Sequence, residues 1–126
     1  MIVLDTSALI GWSESSDAHH AAAIEQLTAH VDDEFLASPI TLAEFYVLPA
    51  KRGKLDHAVR LVADLGVSTV PLPADAPVRL AELRAVTGLK LPDCCVLLAA
   101  LQSDAAVLTF DHRLRDGARA AGVRIA

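Results

Sequence analysis

Met1-Ile2-Val3-Leu4-Asp5-Thr6-Ser7 opens the chain with a short aliphatic run that stops at a carboxylate backed by two hydroxyls. Three consecutive apolar residues without polar alternation predict a strand buried on both faces, as in parallel sheets. In open α/β sheets ligands gather beyond the carboxyl ends of the strands, so Asp5 is a candidate for chemistry. A simpler role also fits, because Asp5 or Thr6 can cap the helix that Ala8, Leu9 and Ile10 begin.

The same pattern returns near the end of the chain. Ala106-Val107-Leu108-Thr109-Phe110 is a second aliphatic strand, and it too stops at a carboxylate, Asp111. Between the two strands lie two apolar helices, each carrying an acid. Ser38-Pro39 supplies a cap and a first-position proline for Ile40 to Leu48, in which Glu44 is the only charged residue. A carboxylate buried in so apolar a helix needs its charge shared, as by a metal ion. The competing reading is a capping box, Thr41-Leu42-Ala43-Glu44. Leu91-Pro92 begins the most apolar helix, Leu91 to Leu101, and puts Asp93 in its first turn, where the helix dipole favours negative charge. An ordinary N-terminal Asp would look the same. Two strands that each deliver an Asp, with acids on two apolar helices, are hard to explain as four separate caps.

Length and composition are compatible with such a fold. The 126 residues form one expected domain, 1–126, able to bury roughly two thirds of the surface its unfolded chain exposes. Hydrophobic residues make up 53% and aromatic ones only 4%, so the core is expected to be built from Ala, Leu, Val and Ile. No stretch approaches the roughly 18 to 20 apolar residues of a membrane span, and no basic region precedes the first apolar run, so no membrane association and a cytoplasmic location are expected. Cys94 and Cys95 are adjacent, unsuited to a long-range disulfide or a zinc site, and read as small buried residues. The net charge of -5 argues against nucleic-acid binding through a broadly basic surface. It leaves a nuclease open, since acidic metal ligands add negative charge that bound ions cancel locally.

The remaining elements follow from periodicity and punctuation. Asp17 to Val31 predicts a helix capped by Ser16, with Ala21, Ile24, Leu27 and Val31 as its apolar face and His19 and His20 solvated. Phe35-Leu36-Ala37 reads as a short strand or only the approach to the next helix. Lys51, Arg52 and Lys54 around Gly53 mark a helix end. Leu55, Val59, Leu61, Val62 and Leu65 give the next helix its face, Gly66 ends it, and Val67 to Val70 is strand-like. Ala76 to Val86 predicts a helix ending at Gly88, Arg113 to Ala121 the last helix, and Val123 to Ile125 a terminal strand.

Read together, Val3-Leu4-Asp5-Thr6-Ser7, Ser38 to Glu44, Leu91-Pro92-Asp93 with Ala99-Ala100, and Leu108-Thr109-Phe110-Asp111 resemble, in order and spacing, the PIN-domain ribonucleases, specifically the VapC-type toxins of toxin–antitoxin pairs. The resemblance covers essentially the whole chain. It implies a three-layer α/β/α sandwich with a mainly parallel central sheet, and a metal-dependent endoribonuclease whose acids match Asp5, Glu44, Asp93 and Asp111, supported by Thr6, Ser7 and Thr109. It further implies an RNA substrate, a homodimer, and an antitoxin whose basic tail covers the site. The pair Cys94-Cys95 departs from the small aliphatic residues more often found there. An all-oxygen ligand set suits Mg²⁺, with Mn²⁺ as substitute. Such ions activate water and neutralise a leaving oxygen. Asp5 and Asp93 would share metal binding, and Glu44 and Asp111 would complete the site. His112, Arg113 and Arg115 follow Asp111, either as a solvated helix start or as contacts to RNA phosphate. A catalytically inactive PIN-like binding module is the alternative. A phosphate-receiving signalling domain lacks the early paired acids and late strand-end Lys it would need.

Overall fold

In the computed structural model, which describes residues 1–126, four three-residue strands form one all-parallel sheet. They are β1 (Ile2–Leu4), β2 (Phe35–Ala37), β3 (Val67–Thr69) and β4 (Ala106–Leu108), in the order β3-β2-β1-β4. Between β1 and β2 lie α1 (Thr6–Ser13) and α2 (His20–Ala29). Between β2 and β3 lie α3 (Pro39–Lys51) and α4 (Leu55–Leu65), and between β3 and β4 lie α5 (Ala76–Thr87) and α6 (Leu91–Ser103). The last helix is α7 (His112–Ala120).

The order of the strands decides the layers. From β1 the chain steps outward to β2 and β3, then returns across the sheet to place β4 on the far side of β1. Because parallel crossovers keep one hand, reversing the direction of travel moves the intervening helices to the opposite face. The two cores record this directly. Val3, Leu36 and Val107, in register with one another, face α6 and α7, where they meet Leu97, Ala100, Leu114 and Ala118. Their neighbours Ile2, Leu4, Phe35, Ala37 and Leu108 face the other way, toward Ala8 and Leu9 of α1, Leu27 of α2, Leu42 and Phe45 of α3, and Val62 of α4. Period-two alternation therefore feeds both sides of the sheet, which is why the strands are apolar throughout. Helix α6 lies across β1, β2 and β4, and every residue from Cys94 to Ala100 is buried. Both thiols are unpaired, and burial pushes their pKa values up.

Punctuation works largely as the residues dictate. Ser38 caps α3 by accepting from the Ile40 N–H at 3.3 Å, and Pro39 follows it. Gly66 and Gly88, at φ 81° and 70°, end α4 and α5 in the left-handed region that favours glycine.

Five expectations are corrected. Helix α2 starts at His20 rather than Asp17, without a side-chain cap, and buries Ala23 and Leu27. Ala21, Ile24 and Val31 are exposed, because docking against α1 selects the face that carries the smaller residue. His20 is half-buried, with Nδ1 at 2.8 Å from the Gly11 carbonyl oxygen, so only His19 is solvated as expected. Glu44 is exposed, forms no capping box, and bonds across to α1 instead. The terminal strand reduces to one parallel bridge between Ile125 and Val107, secured by Val107 N–H to Arg124 O and Ala126 N–H to Val107 O, both 2.9 Å.

Candidate active site at the strand switch point

β1 neighbours β2 on one side and β4 on the other, so the chain leaves these adjacent strands toward opposite faces, opening a crevice beyond their carboxyl ends. Asp5 ends β1 in this crevice and is buried. It is also the N-cap of α1, with Oδ1 accepting from the Ala8 N–H at 2.9 Å. The capping and the functional readings of Asp5 are thus both available to one residue, because its second oxygen faces β4.

Two hydroxyls hold that carboxylate, and their proton directions are set by the backbone. The Phe110 N–H donates to Ser7 Oγ at 3.0 Å, and the Asp111 N–H donates to Thr109 Oγ1 at 3.0 Å. Each hydroxyl therefore accepts from β4's end and spends its single proton on Asp5, Ser7 at 2.7 Å from Oδ1 and Thr109 at 2.5 Å from Oδ2. A carboxylate offers about four lone-pair sites. Ala8, Ser7 and Thr109 donate to it, and the Ser7 hydroxyl also lies 2.9 Å from Oδ2, so both oxygens are engaged. Burial raises the Asp5 pKa, the bonds from Thr109, Ala8 and Ser7 oppose that rise, and the charge of Asp111 adds to it.

The other acids arrive from separate elements. Asp93 sits half-buried in the first turn of α6. Its pKa is raised by burial first and then by the charges of Asp111, Asp5 and Glu44, with Lys90 the cation that lowers it. Asp111 caps α7, its Oδ1 accepting from the N–H groups of Arg113 at 2.9 Å and Leu114 at 3.3 Å. Glu44 projects from α3, and its Oε1 accepts from Thr6 Oγ1 at 3.1 Å. The four predicted acids thus lie within one electrostatic field, and each of Thr6, Ser7 and Thr109 bonds to one of them. No three acidic, His or Cys side chains close into a ready-made metal cage.

The basic residues divide. Arg113 is exposed, whereas Arg115 is half-buried and gives its Nη2 to the Thr109 carbonyl oxygen at 3.1 Å. Its buried Nε has no partner in the chain. Two residues at the rim escaped the sequence reading. Phe110 lies between Thr109 and Asp111, and the ring of His19 stacks on it with centroids 4.9 Å apart and planes 6° from parallel. Phe110's position between two site residues was the available signal; nothing local points to His19.

Solved structures of similar fold include a toxin–antitoxin complex from Klebsiella pneumoniae, 23% identical, with TM-score 0.73 over 88% of this chain and 87% of that one. Mycobacterium tuberculosis VapC20, a toxin that cleaves the sarcin–ricin loop, is 19% identical with TM-score 0.76 over 92% and 94%. VapBC2 from Rickettsia felis, bound to a DNA fragment from its promoter, is 16% identical with TM-score 0.75 over 100% and 98%. At these identities the likeness is one of fold. No curated protein matches the sequence. The PIN domain family model matches residues 2–120, nearly the whole chain, and the chain belongs to the PIN domain family.

Proposed function

We propose that this chain is a metal-dependent endoribonuclease, the toxin of a type II toxin–antitoxin pair, with Asp5, Glu44, Asp93 and Asp111 as its acidic site. The observation that carries the reading is geometric: Asp5 and Asp111 follow the ends of adjacent parallel strands and are joined through Thr109, and the charges of Asp111, Asp5 and Glu44 help to raise the pKa of Asp93. Mutual repulsion among carboxylates is costly unless a cation or a cationic side chain relieves it.

The donor set fits Mg²⁺, or Mn²⁺ in its place. It consists of oxygen atoms, and Mg²⁺ is held through one or two carboxylates with several waters retained, so a closed protein cage is not required. Asp5 and Asp93 would hold the ion, with Glu44 and Asp111 completing the charge. When bound, such an ion activates water for attack on phosphorus and neutralises the departing oxygen. The chain's own residues do the positioning. Ser7 and Thr109 lock the Asp5 carboxylate in one orientation, and Thr6 restrains the otherwise exposed Glu44. Arg113, exposed two residues after Asp111, would meet phosphate, while Arg115 retains donors beyond the one it gives to Thr109. The net reaction adds water across a P–O bond: the water oxygen joins phosphorus and the leaving ribose oxygen takes up a proton.

Toxin–antitoxin assemblies among the similar folds support an antitoxin partner, and an acidic crevice suits a basic inhibitory segment. A homodimer belongs to the same reading. Val78 and Val86 of α5 and Leu101 of α6 expose apolar surface for an interface to cover. No helix is long and apolar enough by itself to cross a membrane.

The purified chain is expected to cleave single-stranded or structured RNA with Mg²⁺ or Mn²⁺ and to stop on exhaustive chelation. Full activity in chelator would overturn the metal reading. RNA binding without cleavage under any divalent ion would leave a catalytically inactive binding module.

A further inference from the structure

Next to Thr109 and Asp111, Phe110 carries a stacked ring, that of His19, which belongs neither to the core nor to the acidic site. Aromatic residues are scarce in this chain, with three Phe, one Trp and one Tyr. Phe35 and Phe45 are buried in the core against α1 to α4, where Trp12 and Tyr46 also pack. Phe110 alone is rooted in the site, its N–H bonded to Ser7 and its chain neighbours Thr109 and Asp111 both engaged there.

One side of Phe110 packs on that same core, and the imidazole of His19 lies parallel on the ring. His19, the outer member of the stack, is exposed. Its backbone is held independently of its ring. The His19 N–H donates to Asp17 Oδ1 at 2.9 Å, and its carbonyl accepts from the Ala23 N–H at 2.8 Å. A π-face that is pre-positioned and ordered before binding loses little entropy when a second ring settles on it.

From this geometry we infer that His19, backed by Phe110, is a stacking platform for a base of single-stranded RNA that flanks the scissile phosphate. The inference rests on the ribonuclease reading and adds to it how the nucleotide is oriented. Single-stranded RNA is held by splaying bases onto aromatic or His faces, and stacking tolerates any base because each has a π-face. A chain of net charge -5 has particular need of contacts that do not depend on phosphate attraction. His19 acts here by positioning, not by chemistry.

Short single-stranded RNA with 2-aminopurine walked through its positions, bound in the presence of Ca²⁺, tests the platform by fluorescence quenching and affinity. Quenching is expected at one position or two adjacent ones. His19→Ala should weaken binding about 5- to 150-fold and remove that quenching, and His19→Trp should keep both. An abasic nucleotide at the quenched position should abolish the difference between wild type and His19→Ala. His19→Ala binding within twofold of wild type, or His19→Trp as weak as His19→Ala, overturns the platform and leaves a ring that merely docks the start of α2. Should wild type neither bind nor cleave RNA, the ribonuclease reading falls and takes the platform with it. Cleavage of RNA at equal rate and KM by wild type and His19→Ala refutes the platform alone.

Discussion

Replacing Thr109 by Val tests the bonding scheme around Asp5 with almost no change of shape. Thr109 is buried and gives its proton to Asp5 while accepting from the Asp111 N–H. Valine keeps the volume and the strand propensity but removes both bonds. A hydrogen bond to a charged group contributes about 1.5–3 kcal/mol, and a part-buried N–H left without an acceptor costs about 1 kcal/mol. The loss is then about 3 kcal/mol. Unfolding entropy near 2.1 cal/mol/K per residue makes each kcal/mol worth about 4 °C in a chain of 126 residues, so Tm should fall by about 12 °C. Thr109→Ser keeps the hydroxyl and loses one methyl, for about 1 kcal/mol or about 4 °C.

The pH dependence carries the sharper test. Burial raises Asp5 above its ordinary value, and the Thr109 bond acts against that rise by favouring the charged form. In Thr109→Val the folded-state pKa therefore climbs further. A raised carboxylate costs stability above its folded pKa, and that cost disappears as pH falls toward the unfolded value near 3.9. The gap between wild type and Thr109→Val should be full at pH 8 and narrow steadily toward pH 4 in thermal scans. Should Thr109→Ser be as damaging as Thr109→Val, or the gap be independent of pH, the hydroxyl does not hold the Asp5 carboxylate as described.

Asp93→Asn should raise the Tm of the protein in chelator at pH 7, since burial and three like charges penalise its ionised form; Mg²⁺ should then stabilise wild type more than the variant, and equal responses to Mg²⁺ would make Asp93 structural. Asp5→Asn, Glu44→Gln and Asp111→Asn should each lower RNA cleavage on the order of 100-fold or more, with circular dichroism unchanged; for Asp111→Asn the cap of α7 survives, because Asn caps as well as Asp. Gly117→Ala should destabilise by about 1–3 kcal/mol in denaturant titrations, because its Cβ would run into the buried Leu89 side chain; an unchanged midpoint would mean that α7 packs more loosely on the turn between α5 and α6 than described.

The strands and their acids were legible because the signal is local. Ile2–Leu4 and Ala106–Leu108 are apolar on both faces, and that reads directly as a buried parallel strand. Proline at the second position of α6, the Ser38-Pro39 start of α3, and the glycines after α4 and α5 were equally plain, since each acts through its own backbone. Composition and motif order likewise pointed to Asp5, Glu44, Asp93 and Asp111 without placing one beside another.

Tertiary structure alone decided which faces and which partners those residues found. The inner face of α2 is Ala23 and Leu27, although Ile24 and Val31 are more apolar, because close docking of α2 on α1 favours the smaller side chain. Glu44 looked buried in an apolar helix and is exposed, since α3 turns that position toward the crevice and Thr6. Ser7 and Thr109 stand 102 residues apart, and their common task on Asp5 exists only because β4 lies beside β1. The stack of His19 on Phe110 has the same origin. Period and punctuation determine elements, because they act over a few residues; the direction a side chain faces and the proton it receives depend on what the sheet order brings alongside.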